Sequence, residues 1–173
     1  VRRADLLVEG EKVVSLGRGI KAEADRVVDV AGCVLFPGFI DAHTHFDLEV
    51  AGTVTADGFA SGSRAALRGG TTTVIDFACP DKGETLASGL ARWQEKAGGK
   101  TFCDYGFHMT IDDWSESIRT ELPAMFARGI SSFKMYMTYP AMLLGDRDLY
   151  WALKELKALG GICGVHCENA GVI

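Results

Sequence analysis

Hydrophobic and polar residues follow two rhythms along the chain, and the change falls at Pro37-Gly38. Before it, residues 5–16 read as two short alternating strands around Gly10, and residues 26–30 predict a third strand. A few short strands without a helix bury little apolar surface. Residues 1–36 are therefore predicted to be a β segment that needs a partner surface.

After Pro37-Gly38, apolar β-branched segments alternate with amphipathic ones. Strands are predicted at 38–46, 72–78, 104–110, 131–137 and 162–167. Helices are predicted at 56–68, 84–97, 113–128 and 146–159, with Pro123 expected to divide the third. Strands recur about every thirty residues, the length of one strand-plus-helix unit. Such a series fits a doubly wound sheet or part of a barrel.

Two observations favour the barrel. No glycine-rich dinucleotide fingerprint follows the first strand, and the candidate site residues cluster at the carboxyl ends of the strands, where barrels carry their active sites. We predict an α/β fold in which residues 37–173 form a partial TIM-type (β/α) barrel of about five βα units.

Composition narrows the classes of function. The chain is 47% hydrophobic and 24% charged with a net charge of −5, and it has no cluster of basic residues, which argues against nucleic acid or an anionic membrane as partner. It has no apolar run long enough to span a bilayer. Its five cysteines are odd in number and irregularly spaced, which predicts a reducing, cytoplasmic location.

A His-x-His pair lies at the end of the first predicted barrel strand. Because side chains alternate along a strand, Asp41, His43 and His45 are predicted to share one face. Two imidazoles at this spacing can converge on one cation. The alternative is that they are hydrogen-bonded core histidines.

Two further side chains are candidate metal ligands. Lys134 lies in a predicted buried strand, where an ammonium is costly; carboxylated by CO2 it would bridge two ions, and paired with Asp76 it would be structural. His166 ends the fifth strand. Strand parity separates it from Cys163 and Cys167, which argues against a zinc knuckle.

Other polar residues have weaker signals. Tyr139 lies just past the Lys134 strand, and its hydroxyl could polarise a carbonyl; the alternative is an aromatic packed in a turn. We favour a structural or supporting role for His108. Glu168 could act as an acid or base, but nothing in the sequence singles it out.

These residues lie in motifs that resemble the hydantoinase/dihydropyrimidinase branch of the amidohydrolase superfamily. The resemblance covers nearly the whole chain and rests on PGFIDAHTH (37–45), GTVTAD (52–57), GGTTTVIDF (69–77), DYGFHM (104–109), SFKMYM (132–137) and VHCEN (165–169).

The resemblance implies a two-metal site. His43 and His45 would bind one divalent cation, carboxylated Lys134 would bridge two, and His166 would bind the second, with zinc as the favoured metal. Tyr139 would hold the substrate carbonyl while a metal-bridging hydroxide opens a hydantoin or dihydropyrimidine ring to an N-carbamoyl amino acid. Residues 47–57 and 135–145 would cover the substrate's side group, and the complete protein would be a homotetramer or dimer.

The chain also departs from this pattern. The family needs a further metal-binding His and an Asp base on later strands, whereas this chain has 173 residues and a full barrel needs ~200 or more. We expect an N-terminal portion of such an enzyme, inactive alone, in which residues 1–36 belong to a small β-sandwich domain.

Two alternatives stay open. One is another cyclic amidohydrolase, an allantoinase or a dihydroorotase, although a dihydroorotase is expected to have Arg where this chain has Asp47. The other is a non-catalytic relative. Such proteins typically lose metal ligands, which this chain retains.

Overall fold

The computed structural model describes residues 2–50 and 52–173, and the chain divides into two compact units, Val1–Pro37 and Gly38–Ile173. In the first unit, β1 (Asp5–Glu9) pairs antiparallel with β2 (Lys12–Gly17). Gly10 opens the connecting turn at φ 59°, a conformation in which glycine is strain-free.

The third strand predicted in the first unit is wrong. Residues 26–30 have no strand assignment, and Val27 and Val28 are 86% and 60% exposed. A strand is stable only when its backbone groups find a partner, and the described part of this segment has none in a sheet. Its assignment to a β-sandwich domain stays a prediction.

The second unit alternates strands and helices. In chain order it contains β3 (Phe39–Thr44), β4 (Glu49–Val50), β5 (Thr53–Val54), α1 (Phe59–Arg68), β6 (Thr71–Ala78), α2 (Leu86–Ala97), β7 (Asp104–Thr110), α3 (Glu116–Ala127), β8 (Ser132–Tyr136), α4 (Asp146–Ala158) and β9 (Ile162–His166). Five strands form one parallel sheet in the order β3-β6-β7-β8-β9. The predicted partial TIM-type barrel is confirmed. The small β4–β5 hairpin was not predicted.

The helices pack on one face of this sheet and leave the other for polar side chains. In β8, Phe133 and Met135 are buried, whereas Ser132, Lys134 and Tyr136 on the alternate positions are half-buried. The buried core that the strands share with the helices includes Leu90, Trp93, Met109, Leu122, Met125 and Leu156. In β8, alternation thus directs Ser132, Lys134 and Tyr136 to the concave face. Among the described helices, none has the length and apolar character needed to cross a membrane.

Pro123 does not divide the third helix, contrary to the prediction. Helix α3 runs through it without interruption, after Ser115 caps the first turn by accepting a hydrogen bond from the amide of Ile118. An interior proline costs ~3 kcal/mol. Ile118, Leu122 and Met125 are all buried against the core, and this packing offsets the cost.

Strand β3 is irregular where the histidines lie. Asp41 pairs with Val74 and Thr44 with Asp76, so three residue steps on β3 face two on β6. An extra residue of this kind is a β-bulge, which re-aims side chains next to functional sites. Simple alternation therefore does not hold across residues 41–44, and the predicted common face of Asp41 with the two histidines is not supported. Asp41 instead accepts a hydrogen bond from the amide of His43.

Candidate functional site

His43 and His45 converge at the carboxyl end of β3. Their Nε2 atoms are 3.2 Å apart, close to the ~3.3 Å between two imidazole nitrogens bound to one tetrahedral zinc at about 2.0–2.1 Å. Burial, the neighbouring His43 and the charge of Lys134 lower the pKa of His45, which favours the neutral imidazole that ligates metals. This donor pair fits a single divalent cation.

Phe77 packs against all three histidines of this region. Its ring centroid lies 4.7 Å from that of His43, 4.9 Å from that of His45 and 4.8 Å from that of His108. Phe77 is itself 4% exposed. The rings therefore rest on a fixed apolar support provided by β6.

His108 links three strands of the sheet. Its Nε2 lies 2.9 Å from the carbonyl oxygen of Ala42, and its Nδ1 lies 2.6 Å from the hydroxyl of Ser132. A carbonyl can only accept, so Nε2 donates to the carbonyl oxygen of Ala42. With both ring nitrogens engaged, His108 has the supporting position that the sequence favoured.

Lys134 projects into the concave face of the sheet. It lines a cleft of about 250 Å³ together with His43, Phe77, His108 and Gly164. Its charge reaches His45, whose pKa it helps to lower. Lys134 is thus in electrostatic range of the histidine pair.

The alternative pairing of Lys134 with Asp76 is not observed. The Asp76 carboxylate accepts hydrogen bonds from Thr44, Phe46, Phe77 and Trp93. These contacts turn it away from the concave face, toward α2. Asp76 is instead bonded to Thr44 and Phe46, the residues on either side of His45.

His166 meets two polar side chains at the end of β9. Its Nε2 lies 3.2 Å from Oε1 of Glu168 and 3.4 Å from the hydroxyl of Tyr139. If the Nε2 proton is donated to Glu168, the Nδ1 lone pair is left for a cation, the usual carboxylate–histidine–metal arrangement. Glu168 was not singled out from sequence, although its position two residues after a strand-end histidine is a usable signal.

Tyr139 is held in an uncommon backbone conformation. Its φ of 67° lies in the left-handed region, which costs a non-glycine residue on the order of 1–3 kcal/mol and is found most often at functional sites. Its carbonyl oxygen accepts the amides of Met142 and Leu143. The ring is 43% exposed, and its centroid lies 5.0 Å from that of His166.

The predicted ligands lie at opposite edges of the sheet. His43 and His45 belong to edge strand β3 and its end, whereas His166 ends the other edge strand, β9. Within residues 2–50 and 52–173, no three His, Cys, Asp or Glu side chains form a cluster able to hold a metal. The described residues therefore supply two partial donor sets, one of them a pair with metal-chelating geometry.

A half-buried carboxylate, Asp112, follows β7 and is not among the residues that the sequence singles out. Burial raises its pKa to about 7, although the nearby Lys82 opposes this shift. Its Oδ1 atom is buried and has no hydrogen-bond partner. The sequence contained no motif around Asp112 that would predict its burial.

A parallel strand–helix sheet with paired histidines at the end of its first strand places the chain among (β/α) barrel proteins whose site lies at the carboxyl ends of the strands. The profile of the Amidohydrolase family matches residues 34–170, and the chain belongs to this family.

Individual relatives agree with this assignment. The chain is 43% identical over 175 residues to the D-hydantoinase of Geobacillus stearothermophilus, covering 100% of this chain and 37% of that protein. It is 38% identical to the dihydropyrimidinase of Rattus norvegicus, covering 98% of this chain and 34% of that protein. The crystal structure of the dihydropyrimidinase from Brevibacillus agri has a TM-score of 0.95 and 43% identity, covering 98% of this chain and 37% of that one. The chain thus spans little more than a third of these relatives.

Proposed function

We propose that the complete protein carrying this chain hydrolyses a cyclic amide, opening a hydantoin or dihydropyrimidine ring to an N-carbamoyl amino acid. The observation that carries this proposal is the convergence of the His43 and His45 Nε2 atoms, 3.2 Å apart, at the carboxyl end of a barrel strand. Similarity to proteins named D-hydantoinase and dihydropyrimidinase over almost the whole chain supports it.

The metal assignment is part of the proposal. His43 and His45 would hold one divalent cation, carboxylated Lys134 would bridge it to a second, and His166 would ligate that second cation. Zinc suits such imidazole and carboxylate donors. Two divalent cations, when bound, supply Lewis acidity that polarises the amide carbonyl and lowers the pKa of water.

The remaining roles belong to side chains of this chain. Tyr139 would donate its hydroxyl proton in a hydrogen bond to the substrate carbonyl oxygen, where negative charge develops. Its hydroxyl already lies 3.4 Å from His166, beside the second donor set. Residues 47–57 and 135–145 would cover the substrate's side group. A homotetramer or dimer and a cytoplasmic location are proposed on the resemblance and on the cysteine usage.

The position of Asp47 separates this proposal from the dihydroorotase alternative. Asp47 accepts the amide proton of Phe59 at the start of α1, and its own carbonyl oxygen accepts from Lys96 at 2.6 Å. A carboxylate committed to a helix N-terminus does not bind an anionic substrate there. The ring opened is therefore expected to be uncharged.

A substrate panel tests the proposal. Purified complete protein is offered hydantoin, dihydrouracil, allantoin and dihydroorotate, and ring opening is followed by loss of absorbance. We expect turnover of the first two and loss of that turnover in the His43→Ala variant. Turnover of dihydroorotate or allantoin alone would assign the other branch, and no turnover by protein containing two equivalents of metal would support a non-catalytic relative.

A further inference from the structure

The carboxylate of Asp76 is a buried hub with four hydrogen-bond donors. Asp76 is 1% exposed. The donors are the Thr44 hydroxyl at 2.9 Å, the Phe46 amide at 2.9 Å, the Phe77 amide at 2.8 Å and the Trp93 indole at 3.3 Å. None of these four partners is charged, so the carboxylate is stabilised by oriented dipoles alone.

The two oxygens of this carboxylate serve different parts of the fold. Oδ2 accepts from Thr44 and Phe46, the residues on either side of His45. Oδ1 accepts from Phe77 on its own strand and from Trp93 on α2. One oxygen therefore holds the histidine segment, and the other fixes the carboxylate to the rest of the unit.

This contact occurs where the sheet stops supporting β3. The register with β6 is interrupted between Asp41 and Thr44, and the strand itself ends at Thr44. Beyond that point the Phe46 amide is bonded to the Asp76 side chain. The Asp76 carboxylate thus takes the place of the hydrogen bonds between β3 and β6 at the point where both histidines must keep their orientation.

Helix α2 strengthens the same anchor. Trp93 donates to Asp76, and Lys96, one turn later, donates to the carbonyl oxygen of Asp47. The Lys96 ammonium also lies 4.5 Å from the centroid of the Trp93 ring. The segment that follows His45 is therefore held to α2 directly by Lys96 and, through Asp76, by Trp93.

We propose that Asp76 is the positioning residue of the His43–His45 pair, acting through Thr44 and Phe46 to keep the two Nε2 atoms convergent. This inference rests on the proposed role of the pair in holding a cation. Asp76 itself does not touch the cation or the substrate. Its position behind the ligands is that of the outer-shell groups whose loss typically weakens metal binding.

The proposal requires a carboxylate at this position. The amides of Phe46 and Phe77 and the indole of Trp93 can only donate hydrogen bonds. If an amide replaces the carboxylate, its NH2 group faces at least one of these donors, and that hydrogen bond is lost. Asp76→Asn has nearly the same volume, removes the negative charge and replaces one acceptor oxygen by a donor amide. Thr44→Val removes one hydrogen bond on the histidine side. Trp93→Phe removes one hydrogen bond on the opposite side together with part of a buried indole and its contact with Lys96, so it serves as the control for lost packing.

The experiment measures cation affinity in the complete protein. Metal-free wild type and the three variants are titrated with Co²⁺ against a competing chelator. We expect Asp76→Asn to weaken the site held by the histidine pair by about 10- to 100-fold. Thr44→Val should weaken it in the same direction by a smaller factor, and Trp93→Phe should leave the affinity within about twofold while lowering the melting temperature.

A second readout needs no metal. In the metal-free protein, the Phe46 amide proton is bonded to a carboxylate, so its NMR signal should lie downfield and its exchange with solvent should be slow. Thr44→Val should leave both properties unchanged. Asp76→Asn should abolish both properties. If Asp76→Asn does not fold, the cation affinities of Thr44→Val and Trp93→Phe are compared, and a larger loss in Thr44→Val supports the positioning role.

Two outcomes would overturn the positioning role. One is wild-type affinity in both Asp76→Asn and Thr44→Val; the other is an equal loss in Thr44→Val and Trp93→Phe, which indicates general destabilisation. Failure of the metal assignment is distinguishable, because His43→Ala would then retain full cation binding whatever the Asp76 variants do.

Discussion

The two candidate donor sets differ in how the protein supports them. Around His43 and His45, two buried residues of β6 provide support: Phe77 lies beneath the rings and Asp76 lies behind the segment. Around His166, the contacts are Glu168, which is 52% exposed in its side chain, and Tyr139, which is 43% exposed. Both sets lie on edge strands, but the first is supported by buried groups, whereas the second is supported by half-exposed side chains at the β9 edge, called here the open edge. Donors held in place by buried groups lose less entropy when they bind a ligand, so the histidine pair should dominate cation binding.

The largest expected effect comes from the histidine pair. In the complete protein, His43→Ala should lower bound divalent metal below the roughly two per subunit of a two-metal site. Ring-opening activity should fall by about 10³-fold or more, since several kcal/mol of Lewis-acid stabilisation is lost. Metal analysis measures the bound cations, and the turnover rate measures the loss of activity. His166→Ala is the matched variant of the open edge and should retain the cation of the histidine pair. Equal metal loss in the two variants would show that the two donor sets do not differ in their contribution to cation binding.

Lys134 is proposed to bridge the two sets, and on that proposal its removal should uncouple them. We expect intact mass of the native protein to show one added carboxyl group that is absent from Lys134→Ala. That variant should bind about one cation per subunit in place of about two. Lys134→Arg is the control, because it keeps a positive charge near His45 but does not form the carboxylated ligand. Full activity and two bound cations in Lys134→Ala would contradict the bridging role.

Tyr139 tests whether the open edge serves substrate binding more than metal binding. Tyr139→Phe removes only the hydroxyl, and loss of one such donor typically lowers kcat by about 10²- to 10³-fold. Metal content should stay at the native level. Tyr139→Gly, which accepts the φ of 67° without strain, should lose as much activity and show no gain from its relaxed backbone. A change in metal content in Tyr139→Phe would reassign the residue to the cation site.

The smallest effect concerns a half-buried carboxylate, Asp112, which contrasts with the fully buried Asp76. Asp112 has an unpartnered oxygen and a pKa raised by burial to about 7, against ~3.9 in the unfolded chain. A folded pKa above the unfolded one means that its stabilising contribution is present below pH ~4 and is lost as the pH rises through 7. The loss is at most about 4 kcal/mol and is reduced by the solvent that reaches this carboxyl.

Asp112→Asn removes this pH dependence. Its free energy of unfolding should equal that of the native protein at pH 4 and exceed it at pH 8, as measured by urea unfolding at both values. If the native protein is instead no less stable at pH 8 than the variant, Asp112 is ionised in the folded state without cost.

Much of the fold could be predicted from sequence because its signals are local. The strands at β6 and β7 and the last helix fall within one or two residues of their predicted limits, since alternation and helical periodicity report directly on burial. Two of the failures show non-local causes. Residues 26–30 are strand-like in composition but have no strand partner among the described residues, and Pro123 is held in α3 by the packing of its neighbours.

The sequence by itself determined which side chains are the candidates for the chemistry: the His-x-His pair, a lysine in a buried strand, and a histidine and a tyrosine at strand ends. Only the tertiary structure decided how they are held. The bulge in β3 cancels simple alternation, and the partner of Asp76 proves to be the histidine segment and not Lys134. The physical reason is that a hydrogen bond between residues 30 positions apart leaves no local pattern, because it depends on strand register and on which neighbours are buried together.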